Sequence, residues 1–314
     1  MTIHHASRPW CVYRQDYIVD FGEHIFPVEK YRMCYERLLQ EGTLTDAEVV
    51  AGESAVTEDL LLVHTADYLN HLNTLALAGW GALTWDTPVS RQIVDGAALA
   101  TGGTVLAARL AVERGLFLHL NGGFHHAFAG HGEGFCYFND VAVAIRVLQR
   151  DGLIRRAAVV DLDLHQGNGT AAIFHGDPDV FTFSIHDERN YPALKPPSDL
   201  DIGLEPGTRD EEYLGHVRAQ VPRLLAEHRP ELAVYIAGAD PYEDDQLGRL
   251  KLTMEGLRER DAFVLDAAAE HGVPLVVLLG GGYAEDTRDT VEIHCNTARE
   301  VSRRVRGESA TPEP

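Results

Sequence analysis

Cysteine is scarce and scattered. The 314 residues hold four, Cys11, Cys34, Cys136 and Cys295, with no CxxC pair among them. That spacing argues against a disulfide framework and against a cysteine zinc site, and points to a reduced, cytoplasmic chain. Long apolar runs are missing too. No stretch of 18 apolar residues occurs, and MTIHHASRPW at the start holds no apolar signal core, so secretion and membrane spanning are disfavoured. Positive charge is also in short supply: 27 Lys and Arg face 48 Asp and Glu, a net charge of −21. Nucleic acid needs a cationic footprint and is excluded as a partner. Such a field attracts cationic substrates such as lysine-rich tails or polyamines, although the same charge also serves plain solubility.

What is present is enough to build a sizeable core, with 45% hydrophobic and 24% charged residues. No repeat or low-complexity linker divides the chain, so a single domain is expected over residues 1–305, with a frayed tail over 306–314. Short apolar runs at 116–120, 157–162, 180–185, 232–237 and 274–279 read as buried parallel strands. Between them, 96–113, 141–149, 212–228, 256–271 and 287–305 carry helical patterns, the second after the N-cap types Asn139 and Asp140. Strands alternating with helices predict an α/β fold, a parallel sheet with helices on both faces.

In such sheets ligands bind beyond the carboxyl ends of the strands, and this sequence puts its chemistry there. Asn121-Gly-Gly-Phe-His125-His126 follows the first run, Asp161-Leu-Asp163-Leu-His165 the second and His186 the third. Gly238-Ala-Asp240 follows the fourth, and Gly280-Gly-Gly-Tyr283 the fifth. Asp161, Asp163 and His165 sit at a spacing of two, so an extended strand end turns all three to one side. Alone, this pattern reads equally well as a polar strand end capping a helix. With Asp240 beside Asp163 and His165, two carboxylates and an imidazole suit one divalent ion and leave a position open for water or substrate.

His125 and His126 follow a Gly-Gly turn and precede a glycine-rich loop. Histidine exchanges protons near neutral pH, and Asp161 and Asn168 could orient the two rings. An isolated His-His is usually core or surface, as His4-His5 illustrates. Tyr283 alone would read as a packed phenol; beside a metal it can donate a hydrogen bond to a developing oxyanion.

The segments GGFHHAFAGHGEGFCYFND, VVDLDLHQGNGT, 238–248 and LGGGY resemble the zinc-dependent histone deacetylase superfamily, in order and spacing, over roughly residues 10 to 300. ATGGTVLAARLAVERG, DLDLHQGNG and TRDTVEIHCNTA look closest to its class IV branch, which has bacterial members. The resemblance implies an arginase-like fold with a central eight-stranded parallel sheet. It implies Zn2+, with Fe2+ as another occupant, on Asp163, His165 and Asp240. It gives His126 as general base and acid with His125 beside it, Asp161 behind His125, Asn168 behind His126, and Tyr283 on the substrate carbonyl. Many class I members have Asp where Asn168 stands, which leaves the proton affinity of His126 open.

Gly134, Phe135 and Tyr191 would flank an acyl-lysine tunnel, with Asp86 and Leu247 at its rim. A structural K+ would lie near Asp161, Asp163, His165, Ser184 and Ile185. The implied activity is removal of acetyl or long-chain fatty acyl groups from lysine side chains of proteins or peptides. Acetylpolyamines or other small acylated amines are the alternative, although Leu247 stands where some polyamine-selective relatives carry an acidic gatekeeper. A two-metal ureohydrolase of the same fold is disfavoured, because Asp240 is followed by Pro241-Tyr242 and forms no DxD pair.

Overall fold

Wholly apolar strands cannot leave either face in water, so they pair side by side and take cover from helices above and below. The computed structural model describes residues 8–17, 21–78, 82–84 and 87–308. Among them the strands run β1 (Cys11–Val12), β2 (Val49–Val50), β3 (Ala82–Thr84), β4 (Thr87–Pro88), β5 (Leu116–His119), β6 (Ala157–Asp161), β7 (Val180–Asp187), β8 (Leu200–Leu204), β9 (Leu232–Ile236) and β10 (Leu275–Leu278). β3 and β4 pair as a small antiparallel hairpin. The other eight form one parallel sheet in the order β2-β1-β5-β10-β9-β6-β7-β8.

The helices are α1 (Lys30–Gln40), α2 (Thr57–Leu60), α3 (Ala66–Leu77), α4 (Arg91–Arg114), α5 (Asp140–Arg150), α6 (Asn168–Phe174), α7 (Asp210–His228), α8 (Met254–Glu270) and α9 (Thr287–Arg306). Side chains alternate along each central strand, so there are two cores. Leu118, Val160, Tyr235 and Val277 pack with Cys34 of α1, Leu224 of α7, Leu257 of α8 and Ala298 of α9. Their neighbours Phe117, Val159, Val234 and Val276 pack with Leu72 of α3, Ala107 of α4 and Val143 of α5.

Local chemistry sets the helix ends. Ser90 Oγ accepts from the Ile93 N–H and starts α4 five residues before the expected 96. Gly115, at φ 94°, ends it. α4 is 24 residues long and is the one described helix long and apolar enough to cross a membrane, but 56% of that stretch is buried within the protein, as a core helix would be. The five strands expected from sequence recur with ends shifted by one or two residues. β1 and β2, at two residues each, are too short to carry a pattern. β8 lies at the sheet edge with four of its five residues exposed or partly so, and its polar alternation hid it. At the carboxyl end, α9 takes Arg306 into the helix, and residues 309–314 of the expected tail lie outside the described residues.

The strand order fixes the site. β5 and β6 lead in opposite directions across the sheet, and β9 and β10 fill the gap between them. Four adjacent strands, β5-β10-β9-β6, therefore deliver His125 and His126, Tyr283, Asp240, and the Asp161–His165 segment to one carboxyl edge.

Candidate active site

Asp163, His165 and Asp240 come together behind this edge, each 6% exposed or less. One ligand atom from each lies within 4.8 Å of the other two. Asp240 spends Oδ1 on the Leu164 N–H at 2.9 Å, and Asp163 spends Oδ2 on the Gly281 N–H at 2.8 Å. Their other oxygens, Asp240 Oδ2 and Asp163 Oδ1, stand 3.1 and 3.2 Å from His165 Nδ1. Burial disfavours a charged His165, but these two carboxylates outweigh it and lift the imidazole to about 10. Burial and the adjacent Asp163 charge push Asp240 up to about 7. Two acids this deeply buried need a cation between them. The donor set, two hard oxygens and one imidazole with an open side, fits a divalent ion.

The glycines make the cradle possible. A methyl group on Gly281 would run into Asp240 Oδ2, and one on Gly238 would lie 2.7 Å from oxygens of both Asp163 and Asp240.

The histidine pair faces this cluster. Asp140 of α5 accepts from the Gly123 and Phe124 N–H groups at 3.0 and 2.7 Å, which pins the turn that presents the pair. His125 Nδ1 donates to Asp161 Oδ2 at 2.7 Å, and its Nε2 lies 3.1 Å from His126 Nε2. Burial would lower His125, but Asp161 and Asp163 prevail and raise it to about 9. His126 is driven the other way, well below its ordinary value, by burial and by the positive His125 and His165. The two rings thus differ in kind, one an imidazolium held by acids and one a neutral base. His126 Nδ1 lies 2.7 Å from Asn168 Oδ1. Tyr283, 7% exposed, has its ring 6.5 Å from that of His165. Burial and the charges of Asp240 and Asp163 raise its phenol well above the usual range, so it keeps its proton and remains a donor.

A family model described as the histone deacetylase domain matches residues 24–298. The chain belongs to the histone deacetylase family. With it comes the deacetylase, amide-hydrolysing class of chemistry. An uncharacterised protein of Picosynechococcus sp. is 41% identical, covering 90% of this chain and 95% of its own. Histone deacetylase 2 of Arabidopsis thaliana is 32% identical, covering 90% and 76%. Among solved structures, the HDA15 HD domain superposes with a TM-score of 0.81 at 22% identity over 93% of this chain and 90% of that one. A histone deacetylase homologue complexed with SAHA gives 0.80 at 24% over 94% and 84%.

Around this family core the remaining expected residues fall as follows. Phe135 stands 5.9 Å from the Tyr283 ring, and Gly134 underlies His126. The Tyr191 ring stands 4.9 Å from that of His126, at the outer side. Leu247 is half-buried, with its carbonyl accepting from Asn190 Nδ2 at 2.7 Å. Ser184 pairs with Asp161 across β6 and β7, with Ile185 next along the strand, while Ser184 Oγ lies 3.0 Å from His186 Nδ1. Asp86 lies outside the described residues.

Three residues that matter here escaped the sequence. Lys30, wholly buried, donates to the Gly280 carbonyl at 3.0 Å with its ammonium 5.6 Å from the Tyr283 ring centre. Burial brings it down to about 8. At the first position of an amphipathic helix it reads as an ordinary surface lysine. Asp245 accepts from the Tyr283 N–H at 2.7 Å, and Glu133 from Asn168 Nδ2 at 2.5 Å. Glu133 left one trace, a lone charge inside a glycine run.

Proposed function

We propose that this chain is a zinc-dependent hydrolase that removes acyl groups from lysine side chains of proteins or peptides. The observation that carries this reading is the buried Asp163–His165–Asp240 set, open on the side where His126 and Tyr283 converge. A zinc ion held by those three residues would polarise the amide carbonyl and acidify a water molecule. His126, kept neutral by burial and by the charged His125 beside it, takes the proton of that water on Nε2. His125, held by Asp161, supplies a fixed positive charge beside the developing oxyanion, and the Tyr283 hydroxyl donates to that oxyanion. The proton then passes from His126 to the departing amine, which leaves as free lysine beside a carboxylate product. Backbone and side-chain oxygens of Asp161, Asp163, His165, Ser184 and Ile185 are the proposed K+ ligands.

The acyl group has an apolar path to follow. Phe26, Tyr31, Phe124 and Phe135 wall both the site and a narrow adjoining apolar cavity of about 30 Å3, which a long chain would have to widen. Ala97 and Ala100 of α4 lie at the far side of that cavity. Acylated small amines such as acetylpolyamines are the second reading, favoured by Glu133 beside the site and the net charge of −21.

A panel of acetyl- and myristoyl-lysine peptides and acetylspermidine tests these readings. Activity should vanish on chelation and return with zinc. Ala100→Phe should slow myristoyl removal while sparing acetyl removal. Acetyl peptides turned over much faster than myristoyl ones would defeat the long-chain reading, and preference for acetylspermidine would defeat the lysine-peptide reading.

A further inference from the structure

Asn168 has two chemically different ends, and only one of them is useful to His126. Its carbonyl accepts and its amide nitrogen donates, and the two are nearly identical in shape. If Oδ1 faces His126 Nδ1, the imidazole proton sits on Nδ1 and Nε2 carries the lone pair. With the amide reversed, Nδ2 faces the ring, the proton moves to Nε2, and the base has nothing left to accept with.

His125 Nε2, 3.1 Å from His126 Nε2, favours the lone pair there from one side of the ring, and Glu133 is placed to set the amide on the other. Its Oε1 receives Asn168 Nδ2 at 2.5 Å and the Tyr191 hydroxyl at 2.8 Å, while Oε2 stands 3.4 Å from His131 Nε2. An ionised carboxylate only accepts. A reversed Asn168 would press its carbonyl oxygen against Oε1, which repulsion forbids. The backbone aims the carboxylate with little freedom. The Cys136 N–H donates to the Glu133 carbonyl at 3.0 Å across Gly134 and Phe135, at φ 56° and 66°. Two consecutive left-handed residues are the signature of a tight mirror-image turn. The same turn lays Gly134 against the His126 ring, where an added Cβ would come within 2.6 Å of Cδ2.

We propose that Glu133 is a positioning residue for His126: by accepting from Asn168 Nδ2 it fixes the amide orientation, and through it the imidazole tautomer that keeps the Nε2 lone pair turned into the site, toward His125 Nε2. The inference rests on reading His126 as the base. Where the partner of such a histidine is a carboxylate, no orientation needs choosing. Where it is an amide, an acceptor-only neighbour supplies the choice.

The test uses the zinc-loaded enzyme with Glu133→Gln, Glu133→Asp, Asn168→Asp and the double variant E133Q/N168D. Glutamine is isosteric but can present either end, so Glu133→Gln should lower kcat at least ~10-fold with little change in KM. Glu133→Asp, still acceptor-only, should retain more activity than Glu133→Gln. Asn168→Asp alone sets two carboxylates face to face and should also lose activity. The double variant restores a donor opposite an acceptor and should recover kcat to within ~3-fold of the parent. Nitrogen-15 spectra of the His126 ring should show Nδ1–H in the parent and a mixture with Nε2–H in Glu133→Gln.

An unchanged Nδ1–H signal in Glu133→Gln, or a double variant no faster than the slower single one, overturns the proposal. If His126→Ala remains active, the base assignment is what has failed. The ring-nitrogen spectra then still decide whether Glu133 sets the tautomer.

Discussion

At the scale of single residues, the site depends as much on absent side chains as on present ones. Gly134→Ala would drive a methyl group into the His126 ring and strain a backbone already at φ 56°. Turnover should fall at least ~10-fold, on the scale of displacing a general base, with zinc content unchanged by elemental analysis. Gly281→Ala acts on the other half, pressing on both carboxylates of the proposed metal set. It should weaken zinc retention during dialysis against a chelator, and retention equal to the parent's would refute the cradle role. His126→Ala and Tyr283→Phe should each cost at least ~100-fold in kcat while the protein stays loaded with metal. Near-parental rates in either variant would remove that residue from its proposed role.

Some of this was readable in advance because metal-binding chemistry concentrates rare residue types at strand ends. Asp163, His165 and Asp240 stood out as polar groups after apolar runs. Lys30 and Glu133 did not, since their importance comes from burial and from a turn that brings distant parts of the chain together.

At the scale of elements, the start of α5 ties the scaffold to the chemistry. Asn139 Oδ1 caps the helix by accepting from the Ala142 N–H at 2.9 Å, and its Nδ2 donates to the Ala127 carbonyl at 3.1 Å. Asp140 accepts from Gly123, Phe124 and Thr104 Oγ1, at 3.0, 2.7 and 2.6 Å. Asp140→Ala strands three buried donors and should cost about 3 kcal/mol in denaturant unfolding.

His64 supports the same corner: its Nδ1 donates to the Phe128 carbonyl at 3.0 Å and its Nε2 accepts from the Asn139 N–H at 3.1 Å. That pairing requires a neutral ring, and burial lowers it from 6.5 to about 4. Between these values the unfolded chain binds the extra proton and the folded one does not. Its contribution is therefore complete above pH 6.5 and is lost as pH falls toward 4, by roughly 3 kcal/mol in all. His64→Gln should flatten the acid limb of the stability profile, and an unaltered limb would place the acid sensitivity elsewhere. The long central elements were legible because burial on both faces demands unbroken apolar runs. The two-residue strands β1 and β2 were not, because pairing with neighbours defines them and their own composition does not.

At the scale of the whole molecule, a net charge of −21 acts on every approaching substrate. Raising ionic strength from about 0.02 to 0.5 M shortens the screening length several-fold. kcat/KM for a lysine-rich acylated peptide should then fall markedly, while that for a neutral peptide of equal length should hold. Equal salt responses would mean that the field plays no part in capture.

The strand order carries a different consequence, for how the protein comes into being. β5 and β6 are complete early, yet the strands that join them, β9 and β10, lie at Leu232–Ile236 and Leu275–Leu278. A chain emerging from the ribosome must hold two half-sheets, each with an open hydrophobic edge, until the last third of its length arrives. Closing that seam is a long-range event and intrinsically slow. The same two strands bring Asp240 and Tyr283, so a polypeptide cut short before them is both inactive and sticky. Assembly of the catalytic centre and sealing of the aggregation-prone edges are therefore a single late step of biosynthesis.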